Sequence, residues 1–135
     1  MPPAFLDTNV LLRHFLQDHP ELSPKAHALI QRIERGDLVV RTSDIVVFET
    51  VFVLERGHKI SKATIAEGLL RILGLIGVVL PEKQQYRRVF ELYQSSNVGF
   101  ADCFHAAFMQ RLGLTEVISF DRDFDKLPGI VRREE

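Results

Sequence analysis

The sequence has few of the residues that mark secreted, membrane-bound or strongly basic proteins. Its 135 residues include one cysteine, Cys103, and no tryptophan, and the formal net charge is −1. A single cysteine excludes an internal disulfide and is typical of a protein in a reducing cytosol. A chain without a basic excess must hold any polyanion through a local patch or through metal ions.

Long uninterrupted hydrophobic runs are also missing, and the first residues do not resemble a signal peptide. The most apolar run, residues 65–80, contains Glu67, Arg71 and three glycines, so it is too short and interrupted to span a bilayer. The first residues have neither a basic region nor a long apolar region, and no signal peptide is expected. We therefore expect a cytoplasmic protein without a membrane segment, folded as one domain over residues 1–135.

Short β-branched runs alternate with helical segments along the chain. This alternation is typical of an α/β fold in which helices cover both faces of a parallel sheet. Such sheets bind their ligands at the carboxyl ends of the strands. The predicted strands are residues 4–6, 38–40, 78–80, 116–119 and 130–131. The main predicted helices are 23–36, capped by Ser23, 44–55, capped by Thr42 or Ser43, 61–73, 81–95 and 100–112.

Four acidic residues interrupt apolar stretches, and no lysine or arginine lies within those stretches to pair with them: Asp7, Glu49, Asp102 and Asp121. A carboxylate buried without a partner is costly or becomes neutral. If the fold brings the four together, a cation must relieve their repulsion. Ligands that are all oxygen favour Mg²⁺ or Mn²⁺ over zinc. Spacing alone leaves open whether the four acids converge.

Four segments, in this order, resemble the PIN-domain family and most of all its VapC-type toxin ribonucleases. The first runs Phe5-Leu6-Asp7-Thr8-Asn9, and the others are residues 43–49, 99–107 and 119–129. The resemblance implies a single PIN domain with a five-stranded parallel sheet. It also assigns Asp7, Glu49 and Asp102 as core acids and Asp121 as the fourth acid, with support from Asn9 and Ser119. Asp123 is the alternative fourth acid, and we otherwise expect it to cap the turn around Phe124.

The resemblance further implies a metal-dependent endoribonuclease. Asp7, Asp102 and Asp121 would hold Mg²⁺ or Mn²⁺ directly or through water, and Glu49 through water or a second ion. RNA would be cut by in-line hydrolysis with a metal-activated water, leaving a 5′-phosphate and a 3′-hydroxyl. A toxin also implies a small antitoxin protein whose C-terminal segment covers the cleft, and a homodimer formed through the apolar helices between residues 61 and 94.

Other polar residues carry weaker signals. His105 lies one helical turn after Asp102, but an imidazole among apolar neighbours is more often structural, and Cys103 is expected in the core. A basic turn and one further arginine could hold the RNA backbone, although such residues are usually only solvated surface: Arg56, His58, Lys59, Lys62 and Arg13.

Three alternative functions are open at this point. A phosphoacceptor or phosphatase domain also places acids and Mg²⁺ at strand ends, but haloacid-dehalogenase-like proteins have an aspartate where this chain has Asn9. Receiver domains have a late lysine where this chain has Ser119. A non-catalytic PIN-like module would have lost the acids, which are all present here. A PIN nuclease of RNA processing would act without an antitoxin.

Overall fold

The computed structural model describes residues 2–135 of the chain. These residues form two compact units, one ending at Lys83 and one running from Gln84 to Glu135. Each unit combines helices with its own parallel sheet.

The first unit contains a three-stranded parallel sheet in the order β1-β2-β3. Ala4 pairs with Val40, and Val40 pairs in turn with Val78, so the three strands end at the same edge. The strands are β1 (Ala4–Phe5), β2 (Val40–Arg41) and β3 (Val78–Val79). The helices are α1 (Thr8–Leu16), α2 (Leu22–Glu34), α3 (Asp44–Phe52) and α4 (Lys62–Leu73), and a π-helical turn, Val53–Gly57, continues α3.

Polar side chains determine where three of these helices begin. Each capping residue has extended backbone and accepts a hydrogen bond from a backbone N–H of the first turn, as N-caps do. The caps are Asp7 for α1, Ser43 for α3 and Ser61 for α4. The N-cap predicted at Ser23 is wrong, because α2 begins at Leu22 and the Ser23 hydroxyl instead accepts from the backbone N–H of His19 at 3.2 Å.

Close packing at Gly77, which precedes β3, offers a test of the first unit. A Cβ added there would lie 2.9 Å from both the Ile33 Cγ2 atom and the Leu38 carbonyl oxygen. Because the carbonyl belongs to backbone entering β2, we expect Gly77→Ala to lower the free energy of unfolding by about 1–3 kcal/mol. Urea denaturation measures this change. Gly57→Ala is the control, since its Cβ would lie 3.8 Å from Val53, and an equal loss there would contradict the prediction.

The second unit contains two helices and a two-stranded parallel sheet. Glu116 pairs with Val131 in register, and α6 ends at Gly113, whose φ of 73° suits glycine. A 3₁₀ turn, Lys83–Gln85, precedes α5 where the sequence predicts regular helix from residue 81. The elements are α5 (Tyr86–Ser95), α6 (Phe100–Leu112), β4 (Glu116–Ile118), a 3₁₀ turn (Arg122–Lys126) and β5 (Val131–Arg133).

The α/β class and the five strands are confirmed, but the strands form sheets of three and two rather than one sheet of five. β2 begins two residues later than predicted. β1 is not buried as expected, since Phe5 is 58% exposed and burial begins at Leu6. Among residues 2–135, no helix is long and apolar enough to cross a membrane.

Candidate active site

Asp102 lies in the first turn of α6, as predicted. The helix begins after Gly99, and the free N–H groups of its first turn favour a negative charge there. The neighbouring residues on α6 fix the orientation of the helix, because Phe100 and Cys103 are buried. Asp102 itself is partly buried.

Asp121 and Asp123 lie in the segment that follows β4. The Ser119 hydroxyl accepts a hydrogen bond from the backbone N–H of Asp121 at 3.0 Å. Asp121 Oδ1 then accepts from the backbone N–H of Asp123 at 2.9 Å, so Asp121 caps the 3₁₀ turn. The predicted capping role of Asp123 is therefore wrong, and Asp123 lies inside the turn that Asp121 caps.

Three carboxylates come together in the second unit. Oxygen atoms of Asp102, Asp121 and Asp123 all lie within 4.8 Å of one another. The sequence presented Asp121 and Asp123 as alternatives, whereas the structure places both beside Asp102. Asp125 takes a different partner, because its carboxylate accepts from Arg132 Nε at 3.2 Å and from Nη2 at 3.4 Å.

The cluster has an effect on the protonation of Asp102. Partial burial raises the pKa of the Asp102 carboxyl, and the charge of Asp121 and a hydrogen bond to it raise the pKa further. Nearby His105 lowers the pKa of Asp102 in part, and the charge of Asp123 adds a smaller upward effect. Lys126 Nζ lies 3.1 Å from Asp123 and offsets part of the negative charge.

His105 lies beside the candidate site, although the sequence analysis weighed it and favoured a structural role. It was expected to be a packed structural residue, but its side chain is exposed and borders the same recess as Asp102 and Asp121. Spacing on the helix was the available signal, since residues three apart lie on one face. Cys103, in contrast, is fully buried, as predicted.

Two further predicted acids are found in the first unit. Asp7 follows β1 and caps α1, and its Oδ2 accepts from the backbone N–H of Asn9 at 3.5 Å. The hydroxyl of Thr8, which is itself buried, donates to Glu49 Oε1 at 3.2 Å and so connects the start of α1 to α3. Thr8 was named only as part of a motif, and its role in orienting Glu49 was not predicted.

The surroundings of Asp7 and Glu49 differ from those expected. Both side chains are exposed, although the apolar sequence around each suggested burial. On α3 the reason is that Glu49 shares one helix face with Ile45 and Phe52, which are 70% and 64% exposed.

The candidate RNA-binding residues are dispersed over the surface of the first unit. Arg13 donates to Asp18 at 2.9 Å, and the Arg56 guanidinium lies over the Phe52 ring. Lys59 is exposed and has a φ of 53°. Lys62 begins α4 and is partly buried. Arg13 and Arg56 thus already have partners within the chain.

The acidic cluster suits a hard divalent cation. Its three donors are carboxylate oxygens, which Mg²⁺ and Mn²⁺ prefer. None of the three is a histidine nitrogen or a cysteine sulfur, the donors that zinc would favour. Two ligands on opposite sides of one Mg²⁺ are about 4.2 Å apart, so small side-chain rotations would bring these oxygens onto one ion.

Comparison with known proteins bears on the same residues. The PIN domain family matches residues 4–130, a stretch that contains all four predicted acids. The chain belongs to the PIN domain family. It is also 32% identical over 124 residues to a VapC ribonuclease of Aquifex aeolicus (strain VF5), a match that covers 90% of each chain. The resemblance of this PIN domain to the VapC type is therefore confirmed.

The raised pKa of Asp102 predicts how Mg²⁺ binding depends on pH. A raised pKa means that Asp102 keeps its proton to higher pH than an ordinary aspartate, and a cation must displace that proton. We therefore expect Mg²⁺ affinity, measured by calorimetry, to weaken as pH falls, beginning above the ordinary aspartate range.

The Asp102 carboxyl carbon signal in NMR of the metal-free protein gives the matching titration. Asp121→Asn should lower the pKa of Asp102, because it removes the neighbouring negative charge. Asp125→Asn should leave the titration nearly unchanged. An Asp102 that titrates like an unperturbed aspartate would contradict the prediction.

Proposed function

We propose that this PIN domain is a Mg²⁺- or Mn²⁺-dependent endoribonuclease and the toxin of a toxin–antitoxin pair. One observation carries the proposal: three carboxylates, Asp102, Asp121 and Asp123, meet at the start of α6 and the end of β4 in a chain of this family. The VapC ribonuclease from Aquifex aeolicus supports RNA as the substrate.

In this proposal Asp7 and Glu49 also take part in catalysis, and residues 1–135 function as one PIN domain. The position of Asp7 supports its part, because it follows a parallel strand and its carboxylate is exposed. Ser119 would act by positioning, since its hydroxyl accepts from the backbone N–H of Asp121, and Asn9 would support Asp7, whose carboxylate accepts from the Asn9 backbone N–H.

Each acid has a defined role in the proposed reaction. Bound Mg²⁺ would supply Lewis-acid activation of water and neutralise charge that develops on the phosphate. Asp7, Asp102 and Asp121 would hold the cation directly or through water, and the backbone N–H of Asp123 would keep the Asp121 carboxylate oriented for this role. Glu49, whose Oε1 accepts from the Thr8 hydroxyl, would hold a metal-bound water or a second ion and help to take the proton of the attacking water. His105 borders the recess and contacts the phosphate backbone of the RNA.

The proposed partners are RNA, an antitoxin protein and a second copy of the chain. Arg13, Arg56, Lys59 and Lys62 remain candidates for RNA contacts. A homodimer surface was expected on the apolar helices between residues 61 and 94. Most apolar side chains of α4 and α5 are buried within the chain, so they leave little apolar surface there for a second copy. Ile76, which is 97% exposed, is the large apolar residue left accessible between residues 61 and 94.

The test is RNA cleavage by the purified protein. Cellular RNAs that include tRNA and rRNA are incubated with Mg²⁺, with Mn²⁺ or with EDTA. We expect cleavage with either metal, none with EDTA, and products with a 5′-phosphate and a 3′-hydroxyl. Asp7→Asn should abolish cleavage, whereas Asp125→Asn should retain it because Asp125 is held by Arg132.

The other outcomes separate the alternatives. Cleavage that persists in EDTA would contradict the metal-dependent mechanism. Metal binding without cleavage of any RNA, together with labelling by acetyl phosphate, would favour the phosphoacceptor function. Growth arrest on expression in a bacterial host, absent with Asp7→Asn, supports the toxin; cleavage without growth arrest would favour an RNA-processing nuclease.

A further inference from the structure

Two histidines of neighbouring helices face each other in the first unit. His14 lies near the end of α1 and His27 lies in the middle of α2. Their Nδ1 atoms are 3.4 Å apart, the ring centroids are 5.3 Å apart and the ring planes differ by 10°. The two rings are therefore nearly parallel and offset, with their Nδ1 atoms closer together than their centroids.

This arrangement fits two ligands of one tetrahedral metal ion. Imidazole nitrogens bound to zinc at about 2.0–2.1 Å and at a tetrahedral angle are about 3.4 Å apart. In the same tetrahedral geometry, the two ring centroids are about 5.3 Å apart if each ring points its Nδ1 at the metal. Both separations agree with those of His14 and His27.

A direct hydrogen bond explains the same distance less well. Hydrogen bonds from protein N–H groups have donor–acceptor separations of about 2.7–3.2 Å, so the 3.4 Å between the two Nδ1 atoms is long for one. An ion between the nitrogens needs the longer separation. Both rings must then be neutral at Nδ1, with the remaining proton on Nε2.

The environment favours neutral imidazoles that an ion can reach. Burial lowers the pKa of His14, and the charges of His27 and Arg71 lower it further, against a smaller opposite effect of Glu34. Arg71 donates to Glu34 at 2.9 Å, so that carboxylate already has a cationic partner. His27 is exposed and borders an open recess, which gives an ion access from solvent.

We propose that His14 and His27 form a second metal site, which binds one Zn²⁺ or a similar transition-metal ion through their Nδ1 atoms. Water would fill the remaining positions of the ion. The ion would link α1 to α2 and so stabilise the helix that Asp7 caps. Nitrogen ligands suit Zn²⁺, Ni²⁺ and Cu²⁺ and exclude Mg²⁺, so this site differs in chemistry from the carboxylate cluster.

The experiment is a Zn²⁺ titration of the full chain, followed by ¹⁵N NMR of the histidine rings and by thermal unfolding. We expect the Nδ1 signals of His14 and His27 to shift together, and Tm to rise. His27→Gln should weaken Zn²⁺ binding at this site at least tenfold and remove the rise in Tm. Ni²⁺ should raise Tm as Zn²⁺ does, and Mg²⁺ should leave the ring signals of His14 and His27 unchanged.

His58→Gln is the matched control, because His58 is also exposed in the first unit but lies outside α1 and α2. Zinc bound by the carboxylate cluster would be common to all variants, so the difference between His27→Gln and His58→Gln isolates the proposed site. Equal zinc affinity in these two variants would overturn the proposal, as would ring signals of His14 and His27 that zinc leaves unshifted. His14→Gln repeats the test from the other helix.

Discussion

Asp102→Asn is expected to lower the rate of RNA cleavage about 10³-fold. The amide has a similar shape but lacks the charge that holds the cation, and a metal ion contributes several kcal/mol to stabilising the transition state, where about 4 kcal/mol corresponds to 10³ in rate. Single-turnover cleavage in saturating Mg²⁺ measures the effect. The control is Asp125→Asn, a carboxylate of the adjacent turn that binds Arg132 instead.

The same substitution should stabilise the metal-free protein at neutral pH. The pKa of Asp102 is raised in the folded state, so its ionised form opposes folding at pH 7. Removing the charge should raise the free energy of unfolding by about 0.5 kcal/mol, a small gain because solvent screens a partly exposed carboxylate, and Tm by roughly 2 °C. The gain should disappear as pH falls through the folded pKa, where Asp102 becomes protonated in the native protein.

The two effects together distinguish a functional cost from a folding defect. A variant that loses activity while gaining stability has lost a charge needed for chemistry, not its fold. If Asp102→Asn instead lowered Tm in EDTA and lost activity in parallel, Asp102 would be structural. If Asp125→Asn lost as much activity as Asp102→Asn, the assignment of the cluster would be wrong.

Sequence signals that act over a few residues predicted the elements well. Of the two hydroxyl residues predicted to cap α3, Thr42 and Ser43, the structure uses Ser43, and the helices predicted at 61–73 and 100–112 begin and end within one residue of those bounds. A capping interaction lies within one turn of the residue that makes it. The strands were placed within about two residues of their observed bounds by their short β-branched runs.

The composition of the acidic cluster was harder to predict because it depends on partners distant in sequence. Asp121, Asp123 and Asp125 alternate along the chain and resemble one another in sequence. Arg132, from β5, draws Asp125 away, and the 3₁₀ turn leaves the other two beside Asp102. Neither the Arg132 contact nor the 3₁₀ turn can be recognised from neighbouring residues in the sequence. The sequence analysis therefore treated Asp121 and Asp123 as alternatives, whereas both lie beside Asp102 in the structure.

The burial of α3 was also predicted wrongly, because an apolar sequence was taken to mean that the whole helix is buried. The apolar stretch around Glu49 predicted an enclosed helix, yet Ile45 and Phe52 are largely exposed on the same face as Glu49. Val47 and Val51 lie on the buried face. A helix that is apolar all round does not reveal from its sequence which face is covered, because the amphipathic pattern that would orient it is absent.

The cluster of aromatic rings in the second unit holds the helix on which Asp102 lies. Phe90, on α5, is fully buried, and its ring centroid lies 5.1 Å from that of Phe100, the first residue of α6. Tyr86 and Tyr93 each lie 6.1 Å from Phe90 by the same measure. Such contacts add to the free energy of burying the rings and fix where α6 begins relative to α5.

Phe90→Ala is therefore expected to lower the free energy of unfolding by about 3–5 kcal/mol, because a buried ring is lost and the cavity can only partly close. Phe90→Leu, which refills most of the volume, should cost less than about 1.5 kcal/mol and retain most RNA cleavage. Urea denaturation of both variants measures the losses. Phe120→Ala is the control for stability, since that ring is 81% exposed, and a loss there as large as that of Phe90→Ala would show that the aromatic cluster is not what holds α5 and α6 together.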